Sequence, residues 1–373
     1  MLGPNVTLMP KIARIPSSGA GRGWRELALA VCVLAVMSGV GSEAVRAQTA
    51  AEAALGRAVV FAYSRFGDDV EGGASTVDLD RLQEHIDELK GGDYKVLPLP
   101  EIVAAFKSGR LLPDRTVAIT IDEADRSVYT QAWPRLKAAG LPFTIFVATD
   151  SVDRNSGSSM SWSQLRELAA DGVTIGSETA SHAHLVGEDR AYVIGQIARA
   201  NERINAELGI RPTLFAYPYG EYDDAMREIV KGQGFDAAFG QQSGVAHSRA
   251  DRYALPRFTL SDPYGSIERF RLAAQSLPLL VSDMTPDPVP ADNPPDFAFT
   301  IDPLMGDIGT LACFASDFGA LGIERLGDRR VALRFPDALP PGRERINCTM
   351  PASGGRWRWY GIQLLVPEEL GRD

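Results

Sequence analysis

Long apolar runs are missing from this 373-residue chain. The longest candidate, residues 27–37, falls short of the roughly 20 residues that a helix needs to cross a bilayer. A stable membrane span is therefore excluded once any leader has been removed. Positive charge is also in deficit, with 38 Lys and Arg against 48 Asp and Glu. Nucleic acid is excluded as a partner on that ground, because its phosphates would be repelled. Cysteine is scarce, three in all: Cys32 lies in the leader region, which leaves Cys313 and Cys348 as an even pair. They form either a bridge or two buried thiols that pack as small hydrophobes. No internal repeat or low-complexity tract is present, and histidine stops at His247.

The first residues have the marks of an export signal. Lys11, Arg14, Arg22 and Arg25 precede the apolar run, and Val45-Arg46-Ala47 stands before Gln48 in the manner of a signal-peptidase site. An internal start at Met9 and an uncleaved anchor are the alternatives. Cleavage after Ala47 would remove Lys11, Arg14, Arg22, Arg25 and Arg46 with Glu26 and Glu43, taking the formal net charge from −10 to −13. The expected location is periplasmic or secreted.

With 45% hydrophobic and 23% charged residues, the rest can bury a large core. Short apolar runs alternate with helical periodicity over residues 59–258, the rhythm of a parallel sheet with helical crossovers. Strands are expected at 59–63, 116–121, 143–148, 173–175 and 213–217, with short ones near Phe235 and Leu255. Between them Asp78 can cap a helix with Leu79, Leu82, Ile86 and Leu89 on one face, and further helices fit 128–139, 163–170 and 223–231. His85, among the apolar positions of the first of these, is expected to face solvent, and His184 and His247 to lie on the surface or in loops. The fold class is α/β: a distorted (β/α) barrel of about seven repeats, with an open doubly wound sheet as the alternative.

Pro286, Pro288, Pro290, Pro294 and Pro295 then crowd a stretch that neither a helix nor a central strand accepts. The expected division is a signal peptide at 1–47, a barrel at 48–282, a proline-rich linker at 283–296 and a small β-sandwich-like domain at 297–373. Strands fit 297–301, 331–335, 345–348 and 356–366. Trp357 and Trp359 share one face of the last strand, as a saccharide platform or as core.

In barrels of this kind reactive groups sit past the carboxyl ends of the strands. Three such ends carry suitable chemistry: Thr120-Ile121-Asp122-Glu123, Gly176-Ser177-Glu178-Thr179-Ala180-Ser181-His182, and Phe215-Ala216-Tyr217-Pro218-Tyr219-Gly220. Two carboxylates and an imidazole on one rim can hold a divalent metal with a position open to water. Tyr217, Tyr219 and Tyr222 suit either stacking on sugar rings or ordinary packing.

In order and spacing these segments resemble the polysaccharide deacetylases, the NodB-homology group of carbohydrate esterases. Residues 117–124 are similar to that family's T-F-D-D-G block, 141–147 to its next strand, 175–182 to its I-G-S-H-T-x-x-H block, and 215–220 to the third block of its exopolysaccharide-processing branch. The resemblance implies a metal-dependent hydrolase that deacetylates a polysaccharide or oligosaccharide, at N-acetyl amides or at O-acetyl esters. It implies Asp122 as general base, Glu123, Glu178 and His182 as ligands of zinc, manganese or magnesium, and the Tyr219 N–H as oxyanion donor. Glu123 stands where the family has aspartate and Glu178 where it has histidine. The family's late general-acid histidine has no counterpart here. The alternative is a catalytically impaired carbohydrate-binding protein that keeps the same fold.

Overall fold

A computed structural model describes residues 54–67 and 75–367. The expected leader and cleavage site, and the last six residues, lie outside that range.

The first half builds one nine-stranded sheet. Its parallel strands run in the order Arg57–Tyr63, Thr116–Ile121, Phe143–Val147, Thr174–Ser177, Leu214–Ala216 and Ala237–Phe239, with Ala246–His247 added antiparallel at the first edge. The sheet curls back on itself. Leu255 bridges Phe239 at one edge, and three residues later Phe258 pairs in parallel with Phe61 at the other. This is the distorted β/α barrel expected from the alternating pattern, drawn as a curled half-barrel. Every residue of Thr116–Ile121 and of Phe143–Val147 is buried, because helices cover a parallel sheet on its outer face and side chains fill the inner one.

Helices separate the strands, and their starts follow local chemistry. The Asp78 carboxylate accepts the Arg81 N–H at the head of Leu79–Gly91, Asp189 caps Arg190–Leu208, and Asp223 caps Asp224–Gly232. Ser161 and Gln164 form a reciprocal capping box before Trp162–Ala170.

His85 departs from expectation. It is only 1% exposed, its ring stacks on Phe270 at 4.2 Å, and its nitrogens meet the Tyr63 hydroxyl at 3.0 Å and the Gly265 carbonyl at 2.8 Å. Burial pulls its pKa down to about 4. Periodicity within one helix could not show that a later helix covers this face.

The C-terminal part is two packed sheets. One is five-stranded and holds Gly342–Pro351 antiparallel to Trp357–Val366; the other is four-stranded and centres on Ala298–Ile301 and Arg330–Arg334. Phe297, Phe299, Val331, Leu333, Ile346 and Leu364 fill the space between. Cys313 and Cys348 face each other across neighbouring strands and are bridged. Leu277–Pro278 and Val281–Thr285, ahead of the proline-rich stretch, already pair into these sheets. Trp359 packs edge-on against Phe258 of the barrel, joining the two parts, while Trp357 is exposed. Among the described residues no helix is long and apolar enough to cross a membrane.

Candidate active site

The strand Thr116–Ile121 ends in a carboxylate clamp. Both Asp122 oxygens accept from Arg257, at 2.6 and 2.8 Å, and neither residue is more than 2% exposed. Arg257 also donates to Thr120 Oγ1 at 3.1 Å and to the Gly240 carbonyl at 2.9 Å. A buried guanidinium needs such a ring of acceptors to repay its desolvation. The same residues that seam the barrel, 255–259, thus carry the cation that fixes Asp122.

Glu123 follows with φ at 57°, a left-handed turn that an L-residue adopts at a cost. The turn aims its N–H at Glu178 Oε2, 3.0 Å away, and its carboxylate at Arg65 Nη2, 3.1 Å away. Glu178 is fully buried after the next strand but one, with its other oxygen 3.2 Å from His182 Nε2. Burial, and then the charge of Asp122, push the Glu178 carboxyl up to about 7. For His182 burial acts downward, but the charge and hydrogen bond of Glu178, aided by Glu123 and Asp122, carry it up to about 9. The Glu178 carboxylate beside it thus favours the protonated form of the His182 ring.

Tyr219 sits in a short turn with φ at 58°, followed by Gly220 at 72°. A Cβ on Gly220 would lie 2.5 Å from the Gln241 nitrogen, so only glycine fits. The Tyr219 ring stacks on His184 at 4.1 Å and lies 4.5 Å from His182. Its carbonyl accepts from Gln363 of the C-terminal sheets at 3.0 Å, and Arg343 from the same sheets lies over its ring. Tyr217 and Tyr222 are buried and hydrogen-bonded, as packing pieces.

Above these groups opens a groove of about 950 Å³. Arg65, Glu123, Asp125, His182 and Tyr219 line it, opposite a wall of small hydroxyl residues that includes Ser151, Ser158 and Ser159. Asp122 and Glu178 lie beneath the surface of the groove and do not line it.

The five residues expected to act together thus share one rim, but as ion pairs and not as a cation cage. Asp122 is held by Arg257, Glu123 by Arg65, and the Glu178 oxygens by His182 and a backbone N–H. A carboxylate whose oxygens face donors of the chain, and an imidazole whose Nε2 is turned to Glu178, have little to offer a metal ion. Among the described residues no group of three or more His, Cys, Asp or Glu side chains is gathered so as to hold one. The residues present do not fit a divalent ion in this arrangement.

Arg65 and Arg257 escaped the sequence reading. For Arg257 a signal existed: a lone cation within Leu255-Pro256-Arg257-Phe258 demands a buried counter-ion. Arg65, after an apolar strand, gave none.

A curled β/α half-barrel with an arginine-clamped aspartate at one strand end and acidic and imidazole groups on the neighbouring rim defines a class. The chain carries a polysaccharide deacetylase domain, of the kind found in hydrolases that act on carbon–nitrogen bonds other than peptide bonds. The family profile described as polysaccharide deacetylase matches residues 110–238. Among curated proteins, the poly-beta-1,6-N-acetyl-D-glucosamine N-deacetylase of Staphylococcus aureus is 25% identical over 202 residues, which cover 50% of this chain and 68% of that one. Among solved structures, IcaB from Ammonifex degensii is 27% identical, with a TM-score of 0.53, over 59% of this chain and 98% of that one. The Streptococcus pyogenes deacetylase PplD, solved with acetate, has the same fold at 19% identity, with a TM-score of 0.55, over 58% of this chain and 98% of that one.

Proposed function

We propose that this chain removes N-acetyl groups from a poly-N-acetylhexosamine outside the cytoplasm. The observation that carries the reading is the Arg257-clamped Asp122, next in the chain to Glu123 of the groove lining, at the strand end where the resemblance puts a general base. The relatives named as poly-beta-1,6-N-acetyl-D-glucosamine N-deacetylases support the substrate class. The leader supports export.

In this reading water adds to the acetyl carbon, the carbon–nitrogen bond breaks, and acetate and a free amine leave. Arg257 occupies one lone pair on each Asp122 oxygen; a second pair on each is left to take the proton of a water entering from the groove. His182 lines the groove with Nε2 against Glu178, so its ring can supply the proton that the departing nitrogen needs. That would fill the role for which no late histidine exists. Ser151, Ser158 and Ser159 suit hydrogen bonding to sugar hydroxyls.

The test is acetate release from acetylated β-1,6-linked glucosamine oligomers. The native chain is expected to release acetate, and Asp122→Asn to lower the rate about 10²- to 10⁴-fold without unfolding. Oligomer binding with no acetate release under any condition would overturn the proposal in favour of a binding protein.

A further inference from the structure

At this rim the family resemblance implies a bound metal, and the protein's own groups already meet every carboxylate there. We infer that the site carries its cation in the chain: the Arg65 guanidinium stands against Glu123, so the groove works without a divalent ion and presents Arg65 to the acyl oxygen of its ligand.

Three observations converge. Arg65 Nη2 donates to Glu123 Oε2 at 3.1 Å, and its Nε lies 3.8 Å from Asp125, so the guanidinium sits between the two acidic groups of the groove wall. A metal on Glu123 would have to displace that pair and then lie beside a fixed positive charge. Glu178 offers no vacancy either, since one of its oxygens meets His182 Nε2 and the other takes the Glu123 N–H. Finally, Arg65 has a donor to spare: Nη2 is spent on Glu123, and among the described residues Nη1 makes no hydrogen bond. An unspent guanidinium N–H on a groove-lining side chain suits a carbonyl or carboxylate oxygen. Arg65 thereby takes the electrophilic part that an ion plays elsewhere, polarising the acetyl carbonyl and receiving the charge that develops on its oxygen.

The acyl-binding half of this inference rests on the proposed function; the cation half does not. Its test starts with the native full chain, stripped with chelator and titrated calorimetrically with zinc and with manganese. The expected result is no one-to-one site, and a melting temperature that neither ion nor chelator moves. In Arg65→Gln, Glu123 loses its partner, so cation affinity is expected to rise at least about tenfold. In the same variant, binding of acetate as the smallest acyl probe is expected to weaken about tenfold, and Arg65→Lys is expected to recover part of it. One equivalent of metal on the native chain, lost in Glu123→Ala, would overturn the cation half. Acetate binding unchanged in Arg65→Gln would overturn the acyl half. Neither measurement needs turnover, so absence of acetate release would count against the proposed function alone.

Discussion

The rim of the half-barrel and the paired C-terminal sheets solve opposite problems. At the rim the side chains of Asp122, Glu178 and Arg257 are buried, and four of the seven non-glycine residues with positive φ among the described residues, namely Glu123, Thr179, His182 and Tyr219, cluster on its loops. The interior of the C-terminal sheets is largely apolar and is stapled by Cys313–Cys348. Backbone in the left-handed region costs an L-residue about 1 kcal/mol, and buried ions cost more unless they are paired. Those costs are concentrated where the groove is, and in the C-terminal sheets they recur at single positions, in Asp283 with φ at 50° and in the buried Glu344, which accepts from the Ser316 hydroxyl at 2.6 Å. Cost is distributed here by chemistry and not by depth in the fold.

The largest effect should come from breaking the rim. Arg257→Ala leaves Asp122 buried without its partner, and urea unfolding is expected to show a loss of about 3–5 kcal/mol. Replacing both members, Asp122→Leu with Arg257→Met, should recover most of that stability while abolishing acetate release. Stability that stayed lost in the double variant would mean that packing, not charge, holds the seam.

In the C-terminal sheets the matching change is Cys313→Ala with Cys348→Ala. The bridge joins residues 35 apart, so its loss is expected to lower stability by about 3–4 kcal/mol. Acetate release well below the melting temperature should be unchanged. An equal loss of activity would erase the contrast between the two regions.

The smallest effect concerns a buried group that belongs to neither region. His85 is held neutral with its pKa near 4, below the ordinary 6.5. An unfolded chain protonates this imidazole first, so stability is complete above pH 6.5 and falls as pH drops toward 4. Between pH 7.5 and 5 the loss from this one group is expected to be about 2 kcal/mol, read as the difference between the native chain and a variant that lacks it, since Glu178 and His182 shift stability the other way. A His85→Phe variant should lack this contribution and hold its stability better than the native chain as pH falls from 6.5 to 5.

Much of this was legible in the sequence, for identifiable reasons. Thr116–Ile121 and Phe143–Val147 are unbroken apolar runs because both faces of a parallel strand are buried, and their ends announced Asp122 and Glu123 as rim residues. Motif order then brought Glu178, His182 and Tyr219 to the same rim. Hidden from the reading were the partners. Arg65 and Arg257 meet the strand-end carboxylates across 58 and 135 residues of chain, and no local pattern encodes such a meeting. Counting donors therefore suggested a metal cage, and could not show that Arg65 and Arg257 stand against two of those carboxylates. His85 failed for the same reason, since its cover arrives with Phe270 and Gly265.

The hydrogen bond from Gln363 to the Tyr219 carbonyl joins a turn of the rim to a residue 144 positions later. During translation the barrel strands emerge long before that amide exists. The rim turn is thus pinned only after Trp357–Val366 has docked, and a nascent polypeptide still on the ribosome carries it unpinned.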